Sequence, residues 1–276
     1  MTMDLSALAA DRPCVMGILN VTPDSFSDGG DLTSATAAAV RAGEMVGTGA
    51  DILDIGGEST RPGAEEVPME EEIRRTAPAI RAIRDAGITA PISIDTRKVK
   101  VAEAALAAGA DMVNDVSAFR FDPELADLVA AKAIPVCLMH SKGPPATMQQ
   151  EAQYDDVVAE VRDHLVERME FAVSRSISLD RIILDPGIGF AKTMAHDLIL
   201  LNRLRELLDV GQPILLGASR KKFIGRIANV PVAKDRVPGS LAVALHGASL
   251  GVQILRVHDV AATVQALAVW RAIRDA

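Results

Sequence analysis

Seven short stretches of this 276-residue chain carry polar residues of types that do chemistry, and each closes or follows an apolar run. One set is acidic and amide: Asp95, Asn114 with Asp115, and Asp185. Carboxylates at the ends of apolar runs are unfavourable to bury unless something pairs with them. A ligand presenting several N–H donors would satisfy them, because a carboxylate accepts two parallel bonds from an amidine-like edge. An internal network to Arg97 and Lys192 could absorb one of these carboxylates, but not all.

The second set is cationic and hydroxylic. It comprises Gly56-Gly57-Glu58-Ser59-Thr60-Arg61-Pro62-Gly63, Ser219-Arg220-Lys221-Lys222 and Arg256-Val257-His258-Asp259. Hydroxyls, guanidinium forks and backbone approached through glycine suit phosphate oxygens. For the 56–63 stretch the alternative is an ordinary surface loop, and the density of Gly, Ser, Thr and Arg favours a ligand. Arg256 and His258 lie two apart on an extended run and so point to the same side. Asn20 can give one neutral oxygen to a hard cation such as Mg²⁺ or can simply cap its turn, and spacing leaves both open. His140, His164, His196 and His246 read as structural. The chain has no Gly-x-Gly-x-x-Gly, Walker loop, Gly-x-Ser-x-Gly or close His/Cys/Asp metal spacing, so redox-dinucleotide, nucleoside triphosphatase, serine hydrolase and zinc chemistries have no support.

The elements that must position these residues follow from the apolar pattern. Strands are expected at Cys14–Asn20, Asp51–Gly57, Pro91–Thr96, Met112–Ser117, Ile134–His140, Arg181–Gly187, Pro213–Ser219 and Val252–His258, each a nearly continuous apolar run as in a strand buried on both faces. Helices are expected at Thr33–Gly47, Met69–Ala86, Lys98–Ala108, Tyr154–Ser176, His196–Asp209 and Val260–Ile273, several stopping at glycine. This alternation, without a composition break, predicts an α/β protein built as a single-domain (β/α)₈ TIM barrel over residues 1–276, with its core at about 13–273. An open doubly wound sheet is the alternative. The long polar loops, Val21–Asp31, Glu58–Pro68 and Ser141–Gln153, all follow strands, which puts them on the face where barrels carry their sites. The ends of strands seven and eight are a frequent phosphate corner in such barrels.

Bulk properties narrow the partners. With 49% hydrophobic but only 3% aromatic residues, the core must be aliphatic. A net charge of −8 without a basic run argues against nucleic acid. No apolar run reaches the ~18 residues that would span a bilayer, and the first residues lack signal-peptide character. Cys14 and Cys137, each inside an apolar run, read as buried thiols of a reducing compartment, so a cytoplasmic enzyme is expected.

Several segments, in order along nearly the whole chain, closely resemble the dihydropteroate synthases. They are Met16-Gly-Ile-Leu-Asn-Val-Thr-Pro-Asp-Ser-Phe-Ser-Asp-Gly-Gly30, Gly57-Glu-Ser-Thr-Arg-Pro-Gly63, Ser93-Ile-Asp-Thr96, Val113-Asn-Asp115, Asp185-Pro-Gly-Ile-Gly-Phe190, Ser219-Arg-Lys221 and Arg256-Val-His258. The resemblance implies that the arylamine of 4-aminobenzoate displaces diphosphate from (7,8-dihydropterin-6-yl)methyl diphosphate, giving dihydropteroate for folate synthesis. It implies that Asn20 binds Mg²⁺ with diphosphate oxygens, and that Thr60, Arg61, Arg256 and His258 hold the diphosphate or the loops over it. Asp95, Asn114, Asp185 and Lys221 would bind the pterin. Ser219, Arg220, Phe26 and Pro62 would form the aminobenzoate pocket, where sulfonamides act on this family. Asp28 would face a carbocation or the metal, with Asp28, Lys221 and Arg256 as the catalytic set. Lys222 stands where many relatives carry Ser and is left outside the site. Two further readings share parts of the pattern. A pterin-binding methyltransferase would not need Asn20, the Ser-Phe-Ser-Asp-Gly-Gly loop or Ser-Arg-Lys. A barrel kept only for binding would have lost a pterin or diphosphate residue. The resemblance also implies a homodimer, for which the apolar faces of Leu241–Leu250 and Val260–Trp270 could supply the surface.

Overall fold

The structure, a computed structural model, describes residue 5 and residues 11–22, 31–59 and 63–276, with residues 31–34 described by their backbone alone. Strands and helices alternate: β1 (Cys14–Asn20), α1 (Asp31–Gly47), β2 (Ile52–Gly56), α2 (Met69–Asp85), β3 (Ile92–Asp95), α3 (Val99–Ala108), β4 (Met112–Asp115), α4 (Glu124–Lys132) and β5 (Val136–Met139). They continue with α5 (Val157–Ser174), β6 (Ile182–Asp185), α6 (Met194–Asn202), α7 (Arg205–Leu208), β7 (Leu215–Leu216), α8 (Lys222–Ile227), α9 (Val237–Leu250), β8 (Ile254–Val257) and α10 (Val260–Arg274). The eight strands pair in the order β6-β5-β4-β3-β2-β1-β8-β7. All these pairings are parallel, and β6 meets β7 through the Leu184–Ile214 bridge, so the sheet curls into a nearly closed (β/α)₈ barrel.

β7 is much shorter than the seven residues expected. Pro213 has no N–H to give to a ladder, and the Ile214 N–H donates to the Gln253 side chain at 2.8 Å. The expected helix at His196–Asp209 is two helices, α6 and α7. Helices α4, α8 and α9 were not foreseen. α9 carries no Asp, Glu, Lys or Arg, so it shows none of the polar-apolar contrast by which a surface helix is read.

Period-two alternation sorts each strand into two faces. The outward set, including Val15, Leu53, Ile55, Ile94, Val113, Val136, Leu138, Ile182, Leu184, Leu255 and Val257, packs against the helices in one large cluster. The inward set forms a separate plug of Cys14, Met16, Ile52, Met112, Cys137, Ile183, Leu215 and Ile254, joined by Leu5. Two positions farther along the strands, still inward, stand Asp54 after Ile52, Asn114 after Met112, Met139 after Cys137, Asp185 after Ile183, Gly217 after Leu215 and Arg256 after Ile254, while Asp95 follows Ser93 by the same step. The barrel therefore has an apolar lower storey and a polar upper one. The upper storey is the candidate site.

Candidate active site

Asp54, Asp95 and Arg256 meet at the centre of the upper storey. The Arg256 guanidinium donates from Nε to Asp54 Oδ2 at 2.6 Å and from Nη2 to Asp95 Oδ2 at 2.7 Å. The Asn114 amide nitrogen donates to the same Asp54 oxygen at 3.4 Å. Asp54 Oδ1, Asp95 Oδ1, Asn114 Oδ1 and Ser93 Oγ are buried with no hydrogen-bond partner among the described residues. Three of the four are acceptors only; other unpartnered buried atoms are scattered over Glu72, His164, Arg168 and Arg175, whereas these four gather in one storey, which marks a place built for donors from outside. Burial pushes Asp95 up to about 7 despite the pull of Arg256, with Asp54 adding its like charge. The guanidinium is itself raised, burial opposing its charge and the two carboxylates overcoming that.

This arrangement changes two sequence expectations. The third carboxylate of the set is Asp54, not Asp115, because Asn114 takes the inward position and its neighbour must point away. Asp115 caps the turn after β4, accepting from the Ser117 and Phe119 N–H groups at 2.7 and 2.6 Å. Nor do Arg97 and Lys192 absorb a strand-end carboxylate. Arg97 Nη2 donates to Glu58 Oε2 at 3.0 Å, and Lys192 is turned toward His140 Nδ1 at 2.9 Å and two carbonyls. Arg256, expected among the diphosphate cations, is the cation that pairs with these strand-end carboxylates.

Asp185 closes the other side of the storey. Its Oδ1 accepts the Gly187 N–H at 2.7 Å, and burial raises its pKa. Lys221 lies beside it, Nζ 4.1 Å from the Phe190 ring centroid, and burial lowers it to about 8 while Asp185 opposes that shift. An amine, an aromatic face and a carboxylate thus stand on one side of the orphaned acceptors.

The loop after β7 supplies the next group. Ser219 Oγ accepts the His258 N–H at 3.2 Å and lies 3.1 Å from His258 Nδ1, which ties the two expected residues together. Arg220 holds a left-handed backbone, φ 58°. Its N–H donates to Ser240 Oγ at 2.9 Å, its carbonyl accepts from Arg236 Nη1 at 2.9 Å, and its guanidinium forks onto Asp259 with Nε–Oδ2 at 2.9 Å. The Arg220 side chain is thereby committed to Asp259. Lys222 opens α8 and is exposed, away from the buried groups.

At the opposite edge, Asn20 ends β1 in register with Gly56. Its half-buried carboxamide makes no hydrogen bond among the described residues, and a Cβ at Gly56 would lie 3.6 Å from Asn20 Oδ1 and 3.7 Å from Asp95 Oδ2, so both oxygens border one open spot. No group of three His, Cys, Asp or Glu among the described residues could hold a metal unaided. A Mg²⁺ sharing one amide oxygen with a bound diphosphate fits that donor set; a dedicated all-protein cage does not. The following loop is anchored by buried ions: Glu58 Oε1 accepts the Val67 N–H at 2.9 Å, while Lys98 Nζ donates to Glu72 Oε2 at 2.8 Å and to the Val67 carbonyl at 2.6 Å. Phe26, Asp28, Thr60, Arg61 and Pro62 lie outside the described residues. Asp54 and the Glu58 anchor were missed by sequence reasoning, and Lys192 was read only as a partner for a strand-end carboxylate. Only Asp54 had a usable signal, its two-residue step from Ile52.

The four remaining histidines contact the fold: His196 completes the capping box of α6, His246 Nε2 meets the Leu201 carbonyl at 2.9 Å, and His140 and His164 pack edge to face. Cys14 and Cys137 are buried thiols in the plug, and burial raises Cys137 well above its usual value.

The sequence pattern of the pterin binding enzymes matches residues 16–258, the span from β1 to His258 over which these groups are distributed. The dihydropteroate synthase of Synechocystis sp. is 48% identical over 264 residues, covering 94% of this chain and 91% of that protein. The Xanthomonas albilineans dihydropteroate synthase structure with 4-aminobenzoic acid superposes with a TM-score of 0.90 at 50% identity, covering 96% of this chain and 94% of that one. The structure of the same organism's enzyme in complex with 7,8-dihydropteroate gives a TM-score of 0.89 at 45% identity over 100% of both chains. Shared barrel, shared motifs and near-complete coverage converge: this chain belongs to the dihydropteroate synthase family of pterin-binding enzymes.

Proposed function

We infer that this chain joins (7,8-dihydropterin-6-yl)methyl diphosphate to 4-aminobenzoate, releasing diphosphate and 7,8-dihydropteroate in folate synthesis. The observation that carries this reading is the trio of buried, unpartnered acceptors Asp54 Oδ1, Asp95 Oδ1 and Asn114 Oδ1. A dihydropterin edge brings the N–H donors they lack, and Asp185 adds a carboxylate beside them. Each unmet buried acceptor stands for about 1–3 kcal/mol of recoverable interaction. Lys221 and the Phe190 ring flank the pterin from Asp185's side, and Arg256 bridges Asp54 and Asp95, opposing the rise that burial imposes on Asp95.

Loss of diphosphate leaves positive charge on the pterin methylene, and the carboxylate and amide oxygens around the ring stabilise that charge where it forms. The arylamine is neutral near pH 7 and needs no strong base, which suits a site without a nucleophilic triad. His258 and Ser219 stand together at the β7–β8 corner where the diphosphate would rest, and Thr60 and Arg61 would help to hold it. Ser219, the Arg220 backbone, Phe26 and Pro62 would border the aminobenzoate. A Mg²⁺ arriving with the diphosphate would neutralise the leaving group, Asn20 giving it one oxygen and Asp28 facing it or the methylene.

The assay is direct: the chain, the pterin diphosphate, 4-aminobenzoate and Mg²⁺ are incubated, and dihydropteroate and diphosphate are scored together. Absence of both products from a folded sample defeats the reading. A homodimer and a cytoplasmic location belong to the same proposal. Val269 and Ile273 on α10 are exposed apolar residues available to a second copy, whereas Val243, Leu245 and Leu250 of α9 pack on the core. No helix among the described residues is long and apolar enough to cross a membrane.

A further inference from the structure

Lys192 has no part in the chemistry above, yet it is 4% exposed at the back of the site. The loop between Asp185 and Lys192 curls through three left-handed residues, Gly187, Gly189 and Ala191, at φ 66°, 80° and 49°. Glycine takes this backbone freely, but at Ala191 it persists only where the surroundings over-determine it. The Lys192 ammonium sits inside the curl, donating to the carbonyls of Gly187 and Phe190, both at 3.0 Å, and contacting His140 Nδ1 at 2.9 Å. Three acceptors match the three donors of an ammonium. Burial holds His140 well below its usual value, which keeps its ring neutral and able to accept, and draws Lys192 down to about 7.

The consequences lie on the loop's other side. The Gly187 N–H orients Asp185 through Oδ1 at 2.7 Å, and the Phe190 ring faces Lys221 Nζ at 4.1 Å. Other bonds secure different parts of the curl: Gln149 Nε2 to the Gly189 carbonyl at 2.9 Å, Tyr154 OH to the Ala191 carbonyl at 2.9 Å, and the Gly189 N–H to Asp197 Oδ1 at 2.7 Å. Among the described residues, Lys192 is the side chain that reaches both Gly187 and Phe190.

We propose that Lys192 is a positioning residue for the pterin half of the site, its buried ammonium setting the 186–191 loop so that Asp185 and the Phe190–Lys221 pair face the ring. This rests on the inferred pterin role of Asp185 and Lys221. The test compares wild type, Lys192→Met and Tyr154→Phe in the full chain by calorimetric titration with 6-hydroxymethylpterin and, separately, with inorganic diphosphate and Mg²⁺. Folded Lys192→Met is expected to lose pterin affinity by about tenfold or more, the effect of stranding acceptors that shape the pocket. Its diphosphate affinity should stay within about twofold, as should both affinities of Tyr154→Phe, which removes a loop bond without touching the ammonium. Unchanged pterin affinity in Lys192→Met, equal loss of both ligands, or an equal loss in Tyr154→Phe overturns the proposal. Lys192→Gln keeps a neutral donor and is read by the same criteria if the methionine variant does not fold. A wild type that binds no pterin overturns the underlying functional reading, which separates the two failures.

Discussion

Arg256→Met would leave Asp54 and Asp95 buried without their shared cation. Removing one member of a buried ion pair ordinarily costs about 3–5 kcal/mol, but Asp95 gives this loss a pH signature. Its folded pKa of about 7 exceeds the ordinary 3.8, so the folded chain holds that proton more tightly than the unfolded one. The resulting penalty is absent below the unfolded value, grows as pH rises, and levels off once pH passes the folded value. Removing Arg256 raises the folded value further. A charge pair about 4 Å apart at an effective dielectric near 20 is worth about 4 kcal/mol, or about 3 pH units. Both proteins then share the same slope up to pH 7, and only the variant keeps losing stability above it. Urea unfolding at half-unit steps from pH 5.5 to 8.5 should therefore show a gap that is flat below about pH 6.5 and widens by about 1.4 kcal/mol per unit above 7. Adding Asp54→Asn to Arg256→Met should narrow the gap, because one stranded charge is removed. Parallel curves across the whole range would refute the account of Arg256 as the counter-ion of this storey.

Asp185→Asn should weaken pterin diphosphate binding by about 10- to 100-fold, the range for a hydrogen bond to a charged group, and leave the circular dichroism spectrum unchanged; equal affinity by calorimetry removes Asp185 from the pocket. Asn20→Ala should raise the Mg²⁺ concentration giving half-maximal turnover by about tenfold or more, whereas an unchanged Mg²⁺ titration would show that Asn20 only caps its turn. Gly187→Ala forces a Cβ onto the His140 carbonyl at a left-handed position, and a loss of at least about 2 kcal/mol in urea unfolding is expected. A variant as stable as wild type would mean that the curl tolerates a side chain.

The barrel was legible because buried parallel strands leave contiguous apolar runs whatever surrounds them, and because a polar residue ending such a run stands out. That logic singled out Asp95, Asn114 and Asp185, which the strands bring to one storey. It mistook Asp115 for a site residue, since a list of polar types ignores which face each position takes; the two-residue step from Met112 to Asn114 settles it, and the same step from Ile52 finds Asp54. Helix α9 was illegible for the opposite reason, having no Asp, Glu, Lys or Arg to mark an outer face, and β7 was overextended because apolar continuity outweighed Pro213, a residue with no N–H for a ladder.

What no single-strand pattern can show is which charge answers which. Arg256 and Asp54 are 202 residues apart and are joined only when the barrel closes. That closure explains why the site must be assembled from every strand at once. A lone guanidinium serving two carboxylates leaves the storey one positive charge short, and burial turns that deficit into a raised Asp95. A bound ring carrying N–H donors, and positive charge as its diphosphate departs, supplies what is missing. The same shortage that makes the empty site unfavourable thus favours the charge distribution of the reacting pterin over that of its ground state.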